Sequence, residues 1–193
     1  MPLSNLTNRR IVLASGSPRR KALMEQLGID FEVLVRSVEE DYPKHLNPRQ
    51  VAEYLARKKA EAYEDLVDEK AIVITADTLV TFEDEILNKP ANRDEAVRML
   101  SMLSDKTHEV ITGVSIQSDE QQVVFHAVTY ITFSKLSQED IDFYVDTYSP
   151  FDKAGSYGIQ EWIGLTGVKM MEGTYYNVVG LPMNALYHHL QKF

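Results

Sequence analysis

The apolar positions switch between a period of two and a period near 3.6 along the chain, which predicts strands interleaved with helices. Arg10 to Ala14 reads as a short strand. Ser17 to Leu27 reads as a helix, with Ser17 as N-cap, Pro18 at its first position and Gly28 past its end. Phe31 to Val35 is a second strand. Asn47-Pro48 opens a helix to about Val67, and Val51, Leu55, Ala62 and Leu66 form its apolar stripe. Ala71 to Phe82 is a strand run turned at Glu83-Asp84-Glu85, and Asn92 with Glu95 predicts a capping box for a helix through Leu103. Glu109 to Gln117 and Gln122 to Phe133 alternate as the arms of a hairpin around Ser118 to Gln121. Ser137 with Asp140 caps a helix to about Tyr148, Gly155 to Gly180 is expected to carry short strands, and Pro182 starts the closing helix. Strands separated by helices favour parallel pairing, whereas the hairpin is antiparallel. The fold class is therefore α/β around a mixed sheet.

The chain has 193 residues, which suits one domain, 1–193, of two lobes that are not independent. Its formal net charge of −9 argues against general nucleic-acid binding, which depends on neutralising phosphates. A local basic pocket can still hold a small phosphate ligand. No cysteine is present, so disulfides, thiolate catalysis and a cysteine-built zinc site are excluded. A metal must then rest on oxygen or imidazole ligands, which suits a hard ion. Met1 to Arg10 is polar and the apolar run after it stops at Ala14. That is too short for a signal core or a membrane span, so a cytoplasmic protein without membrane contact is expected.

Candidate chemistry concentrates in a few segments. In Leu13-Ala14-Ser15-Gly16-Ser17-Pro18-Arg19-Arg20 a strand runs through small residues into a capped helix start, a place suited to anions. Two arginines in a first helical turn oppose the helix dipole, and a bound phosphate would offset that; two solvated arginines on a plain connection are the alternative. Lys59 falls near the centre of the apolar stripe after Asn47, so it needs an anionic partner or a cleft, unless it snorkels to water. Asp77 interrupts an otherwise buried strand, which calls for a metal, a basic partner or backbone donors. Glu39-Glu40-Asp41 reads either as a solvated loop or as the source of a second carboxylate for a metal shared with Asp77. Lys89-Pro90 follows a turn. Asp152-Lys153-Ala154-Gly155-Ser156-Tyr157-Gly158-Ile159-Gln160 suits either a loop that approaches a planar base or a tight turn. His45, His108, His126, His188 and His189 lack metal-ligand spacing and read as structural or surface residues.

Taken in order, these segments resemble the Maf family of nucleotide pyrophosphatases. The resemblance runs through the Leu13–Arg20 motif, Val38-Glu39-Glu40, Ala56-Arg57-Lys58-Lys59-Ala60, Ala76-Asp77-Thr78, Asn88-Lys89-Pro90, the Asp152–Gln160 loop and Val178-Val179-Gly180-Leu181-Pro182. It implies an elongated two-lobed α/β fold with a central cleft, a homodimer, and hydrolysis of a nucleoside triphosphate between its α- and β-phosphates. It implies catalytic roles for Asp77, Glu40, Lys59 and Lys89, with Asp77 and Glu40 holding a divalent cation (Mg²⁺, Mn²⁺ or Co²⁺). Substrate binding is implied for Ser15, Arg19, Arg20 and Gln160, with Lys153 and Tyr157. Arg19, Thr78, Lys153, Tyr157 and Gln160 look like the subgroup that acts on dTTP and UTP. The alternatives are a 7-methyl-GTP enzyme and a nucleotide-binding regulator of septum formation without turnover. The chain departs from the family pattern at Thr75 and Asp105, where glycine is usual. At Thr75 the departure bears on rate or fit, and at Asp105 on stability.

Overall fold

The computed structural model describes residues 3–193; Met1 and Pro2, at the head of the polar N-terminal stretch, lie outside them. The elements in order are β1 (Arg10–Leu13), α1 (Pro18–Glu25), β2 (Glu32–Val33), α2 (Pro48–Glu61), β3 (Ala71–Phe82), β4 (Glu85–Leu87), α3 (Arg93–Leu103), β5 (Thr107–Gln117), β6 (Gln122–Phe133), α4 (Gln138–Tyr148), α5 (Trp162–Gly167), β7 (Val168–Glu172), α6 (Tyr175–Val179) and α7 (Met183–Leu190). The strands form one seven-stranded sheet in the order β2-β1-β3-β5-β6-β7, with β4 on β3. β1 pairs parallel with β2 and β3, whereas the β3–β4 and β6–β7 pairs are antiparallel. The sheet is thus mixed, as the order of elements predicts.

Local chemistry sets most boundaries. Ser17, Asn47, Asn92 and Ser137 each accept a backbone N–H from the residue three positions on, satisfying donors that a helix start leaves unpaired. The boxes at Asn47/Gln50 and Ser137/Asp140 are reciprocal. At Asn92 the expected box is incomplete, because Glu95 Oε2 takes the N–H of Ala91 (2.7 Å) instead. α2 stops at Glu61 rather than near Val67, and a 3-10 turn over Glu64–Leu66 follows. The guanidinium of Arg36, in the segment after β2, donates to the carbonyl of Ala62 there, satisfying an end the periodicity would have extended. The stretch from Gly155 to Gly180 differs more from expectation. It holds one strand and two short helices, α5 and α6.

The chain divides into two compact units. The first comprises Met1–Asp77, Thr112–Ala127 and Gly180–Phe193; the second comprises Thr78–Ile111 and Val128–Val179. In the first, Val12 and Val73 pack with Ala14 and Tyr63, and Leu34 and Leu66 cover them. β5 runs hard against α2 there. A Cβ at Gly113 would lie 2.1 Å from the carbonyl oxygen of Ala52, so only glycine fits. Thr75, the departure from family glycine, is fully buried and donates its hydroxyl to the Ala56 carbonyl (2.6 Å), tying β3 to α2. In the second unit, Leu100, Leu103, Phe133, Tyr144 and Ile163 form the core. Arg93 joins α3 to α4 through Asp142 and Asp146, both at 2.6 Å, an exposed cluster that adds little to stability. Asp105, the other departure, sits at φ 58°, the left-handed conformation that glycine enters without steric cost. Among the described residues no helix is long and apolar enough to cross a membrane.

Candidate active site

The first unit holds six of the expected site residues, Ser15, Arg19, Arg20, Glu40, Lys59 and Asp77. β1 ends at Leu13 and the chain turns through Ser15 and Gly16 before Ser17 caps α1. Ser15 Oγ accepts the N–H of Ser17 and the guanidinium of Arg20, both at 3.3 Å. Arg20 also donates from Nη1 to the carbonyl of Ala76 and from Nε to that of Gly180, each at 2.8 Å. Its side chain therefore knits the α1 start to the residue before Asp77. Burial lowers the Arg20 pKa and neighbouring Arg19 adds to this, while the charges of Asp77 and Glu40 oppose it.

Lys59 lies at the centre of this arrangement. Its ammonium donates to Asp77 Oδ1 at 2.5 Å and to Glu40 Oε1 at 2.7 Å. The Lys59 side chain is 18% exposed and that of Asp77 only 9%, so this is a partly desolvated pair rather than a snorkelling lysine. Glu40 is placed by the segment leaving β2. The Leu34 N–H bonds the Leu13 carbonyl, Tyr63 Oη takes the N–H of Arg36 (2.7 Å) and donates to the Leu34 carbonyl (3.1 Å), and Lys58 pairs with Asp41 just beyond. That last bond lowers the Asp41 pKa and raises that of Lys58.

These residues surround a cavity of about 260 Å³, lined by Ser15, Gly16, Arg20, Arg36, Glu40 and Lys59 among others. Arg36 is absent from the sequence-based candidates. It forks onto Asp65 and lies 4.9 Å from the Tyr63 ring centre. A lone cation between a strand and an acidic run is the signal that could have found it. Among the described residues no three histidines or carboxylates cluster as ligands. Glu40 and Asp77 nevertheless converge on one cationic centre, the ammonium of Lys59. Two carboxylates with the rest of the shell from water and phosphate oxygens are a donor set that suits a hard divalent ion, so the residues present fit one.

The second unit carries the remaining candidates. Lys89 follows β4 and is exposed. The loop from Asp152 is held by contacts to β3, to the segment after β4, to β5 and to α4. Gly155 at φ +66° presses on Val80, where a Cβ would come within 2.7 Å, and its N–H bonds the Asn88 carbonyl (3.3 Å). Lys153 binds Asp152 (2.8 Å) and Glu161 (3.0 Å); Tyr144 Oη donates to Glu161 and accepts the Gly158 N–H (3.0 Å). Tyr157, 6% exposed, bonds His108 Nε2 through its hydroxyl at 2.7 Å. Lys153 and Tyr157 are thus engaged by Glu161 and His108, which support the loop from outside, while Gln160 stands exposed at its end.

Residues 10–193 match the family described as Maf-like protein. The chain is 49% identical over 192 residues to a protein of Parabacteroides distasonis named dTTP/UTP pyrophosphatase, covering 99% of this chain and 100% of that one. A Porphyromonas gingivalis protein of the same name is 48% identical over 194 residues, covering 99% and 98%. Among solved structures, the Staphylococcus aureus Ham1 protein aligns with a TM-score of 0.54 and 17% identity over 95% of this chain and 99% of that one, a likeness of fold. By its sequence over nearly its whole length, this chain belongs to the Maf-like protein family.

Proposed function

We propose that the chain is a nucleoside triphosphate pyrophosphatase that hydrolyses dTTP and UTP to the monophosphate and pyrophosphate. The observation that carries this reading is the Lys59 ammonium held between Asp77 and Glu40 beside a cavity rimmed by Ser15 and Arg20. The names of the relatives, close in length and nearly half identical, support the substrate class.

In the proposed reaction a water oxygen bonds to the α-phosphorus as the bond to the α–β bridging oxygen breaks, and pyrophosphate leaves. Asp77 takes the proton of that water. Lys59, Lys89, Arg19 and Arg20 neutralise charge on the triphosphate and on the departing pyrophosphate. The N–H groups at the start of α1, with Ser15, hold a phosphate. Gln160 reads the base edge. A divalent cation (Mg²⁺, Mn²⁺ or Co²⁺) would rest on Asp77 and Glu40, where it supplies polarisation of the phosphate and a lower pKa for water. Cytoplasmic location and a homodimer complete the reading, the latter on the family resemblance.

The test is pyrophosphate release from dTTP, UTP, CTP, GTP and 7-methyl-GTP with each of the three ions. Turnover led by dTTP and UTP is expected. Fastest turnover of 7-methyl-GTP would replace the substrate assignment. Tight binding of nucleotide without release of pyrophosphate from any of them would make the protein a sensor instead of an enzyme.

A further inference from the structure

His108 is the second residue of β5 and is 2% exposed. Its ring lies 5.2 Å from that of Phe133 and 5.4 Å from that of Tyr157, and the latter two are 5.1 Å apart, so the three rings close on one another. Its Nε2 bonds the Tyr157 hydroxyl at 2.7 Å, while its Nδ1 is buried without a hydrogen-bond partner. Burial drives its pKa down, so the imidazole is neutral at physiological pH. A histidine is a poor choice for packing alone, since an apolar ring of similar shape would fill the space without stranding a polar nitrogen. What histidine adds is the bond to Tyr157.

Tyr157 belongs to the loop that ends on Gln160. The preceding Ser156 is fully buried and held at φ 64°, and its hydroxyl meets Met99 Sδ at 3.0 Å. On the other side, the Gly158 N–H bonds Tyr144 and Glu161 takes Lys153. The loop is thus clamped on both sides of Tyr157, and the His108 bond fixes the ring between the clamps.

We propose that His108 is a positioning residue: through the Tyr157 hydroxyl it sets the path of the Asp152–Gln160 loop and so tunes nucleotide selectivity without touching the nucleotide. The role in selectivity rests on the reading of Gln160 given above; the role in loop placement does not.

The test compares full-length wild type with His108→Phe, Tyr157→Phe, the double variant and His108→Gln. Two quantities are read: the ratio of kcat/KM for dTTP to that for GTP, and amide hydrogen exchange over residues 152–160. Each Phe variant is expected to lower the ratio about 10-fold, because a displaced polar group no longer penalises the wrong base. The double variant should do no worse than either single one, since both remove the same bond. His108→Gln, whose amide still reaches the hydroxyl, should recover part of the ratio, and loop exchange should accelerate in both Phe variants. If His108→Phe fails to fold, Tyr157→Phe, which removes only one oxygen, decides. An unchanged ratio in the folded Phe variants overturns the proposal even where Tm falls, because packing alone would give that result. If wild type releases no pyrophosphate from any triphosphate, the pyrophosphatase reading falls separately. Exchange then decides the positioning role: unchanged protection overturns it, and faster exchange upholds it.

Discussion

The Lys59 cluster in the first unit and the Asp152–Gln160 loop in the second hold their polar groups by different means. Around Lys59 the bonds join full charges to one another, at 2.5 Å to Asp77 and 2.7 Å to Glu40, beside an open cavity. In the loop the central bond is neutral, Tyr157 to His108, in an apolar shell of rings. Charged groups that already pair can exchange partners with a triphosphate and a cation, so the first arrangement suits chemistry. A neutral buried bond has no such alternative, so the second suits fixed shape. If this contrast holds, substitutions in the first unit should change rate, and substitutions in the loop should change stability or choice of base.

The largest effect is expected at Asp77. Asp77→Asn is nearly isosteric but removes the proposed base, and turnover should fall by roughly 10³-fold or more while nucleotide binding persists. Near-normal kcat in a folded variant would place the base elsewhere and undo the contrast on its catalytic side.

Acid should expose the other side. Burial lowers the His108 pKa from its ordinary 6.5 to about 3. The unfolded chain therefore takes up a proton at His108 near pH 6.5, whereas the folded chain resists until about pH 3. The contribution of His108 is fully present above pH 6.5 and shrinks as pH falls from 6.5 towards 3, by roughly 3–5 kcal/mol in all. Denaturant titrations at pH 7, 5 and 4 should show this loss, and His108→Phe should flatten it. An equally steep loss in that variant would trace acid sensitivity to the ion pairs of the first unit.

Lys59 comes next. Lys59→Ala should lower kcat/KM by roughly 10- to 1000-fold, since it removes a cation from developing charge and leaves two carboxylates facing each other. Wild-type kinetics in a folded variant would reduce Lys59 to a structural counter-ion.

Asp77 and Lys59 were legible in the sequence for one shared reason: each contradicts its own pattern. A carboxylate within Ala71–Phe82 and a lysine on the apolar stripe of α2 both need partners, and here they are partners of each other. The strands and most helix starts were equally readable, because caps and alternation are local. What escaped depends on residues far apart in the chain. α5 and α6 have six and five residues, too short to show a period or to stand without neighbours. At the early stop of α2 the Ala62 carbonyl is taken up by Arg36, 26 positions away. His108 reads as an ordinary strand histidine until a bond across 49 positions joins it to Tyr157. For Arg20 the position was legible but the bonds to two carbonyls were not.

Those bonds change what Arg20→Ala should do. As a phosphate contact alone, Arg20 would weaken all triphosphates alike and leave the fold untouched. Bonded to the Ala76 and Gly180 carbonyls, it also holds the residue before Asp77. The variant should lose about 1–3 kcal/mol of stability as two carbonyls lose a charged donor. It should also lower kcat for every nucleotide by a similar factor. An unchanged Tm with only KM raised would return Arg20 to a pure phosphate contact.

Gln160→Ala should have the smallest effect on the best substrate and the most selective one overall. Gln160 is exposed at the end of a loop whose other polar groups are already bonded, so truncating it disturbs no scaffold. A side chain that pairs with a base edge discriminates because the wrong base leaves it unpaired. Its removal should compress the spread of kcat/KM among dTTP, UTP, CTP and GTP by about 10-fold, mainly by raising the poor substrates relative to the good ones, with Tm unchanged. Arg20→Ala supplies the control, since phosphate contacts carry no base information and its ranking should match wild type. A uniform loss in Gln160→Ala, with the ranking preserved, would mean that the amide touches a part common to all nucleotides. The loop would then hold substrate without choosing it, and its rigid construction would need a different explanation from base selection.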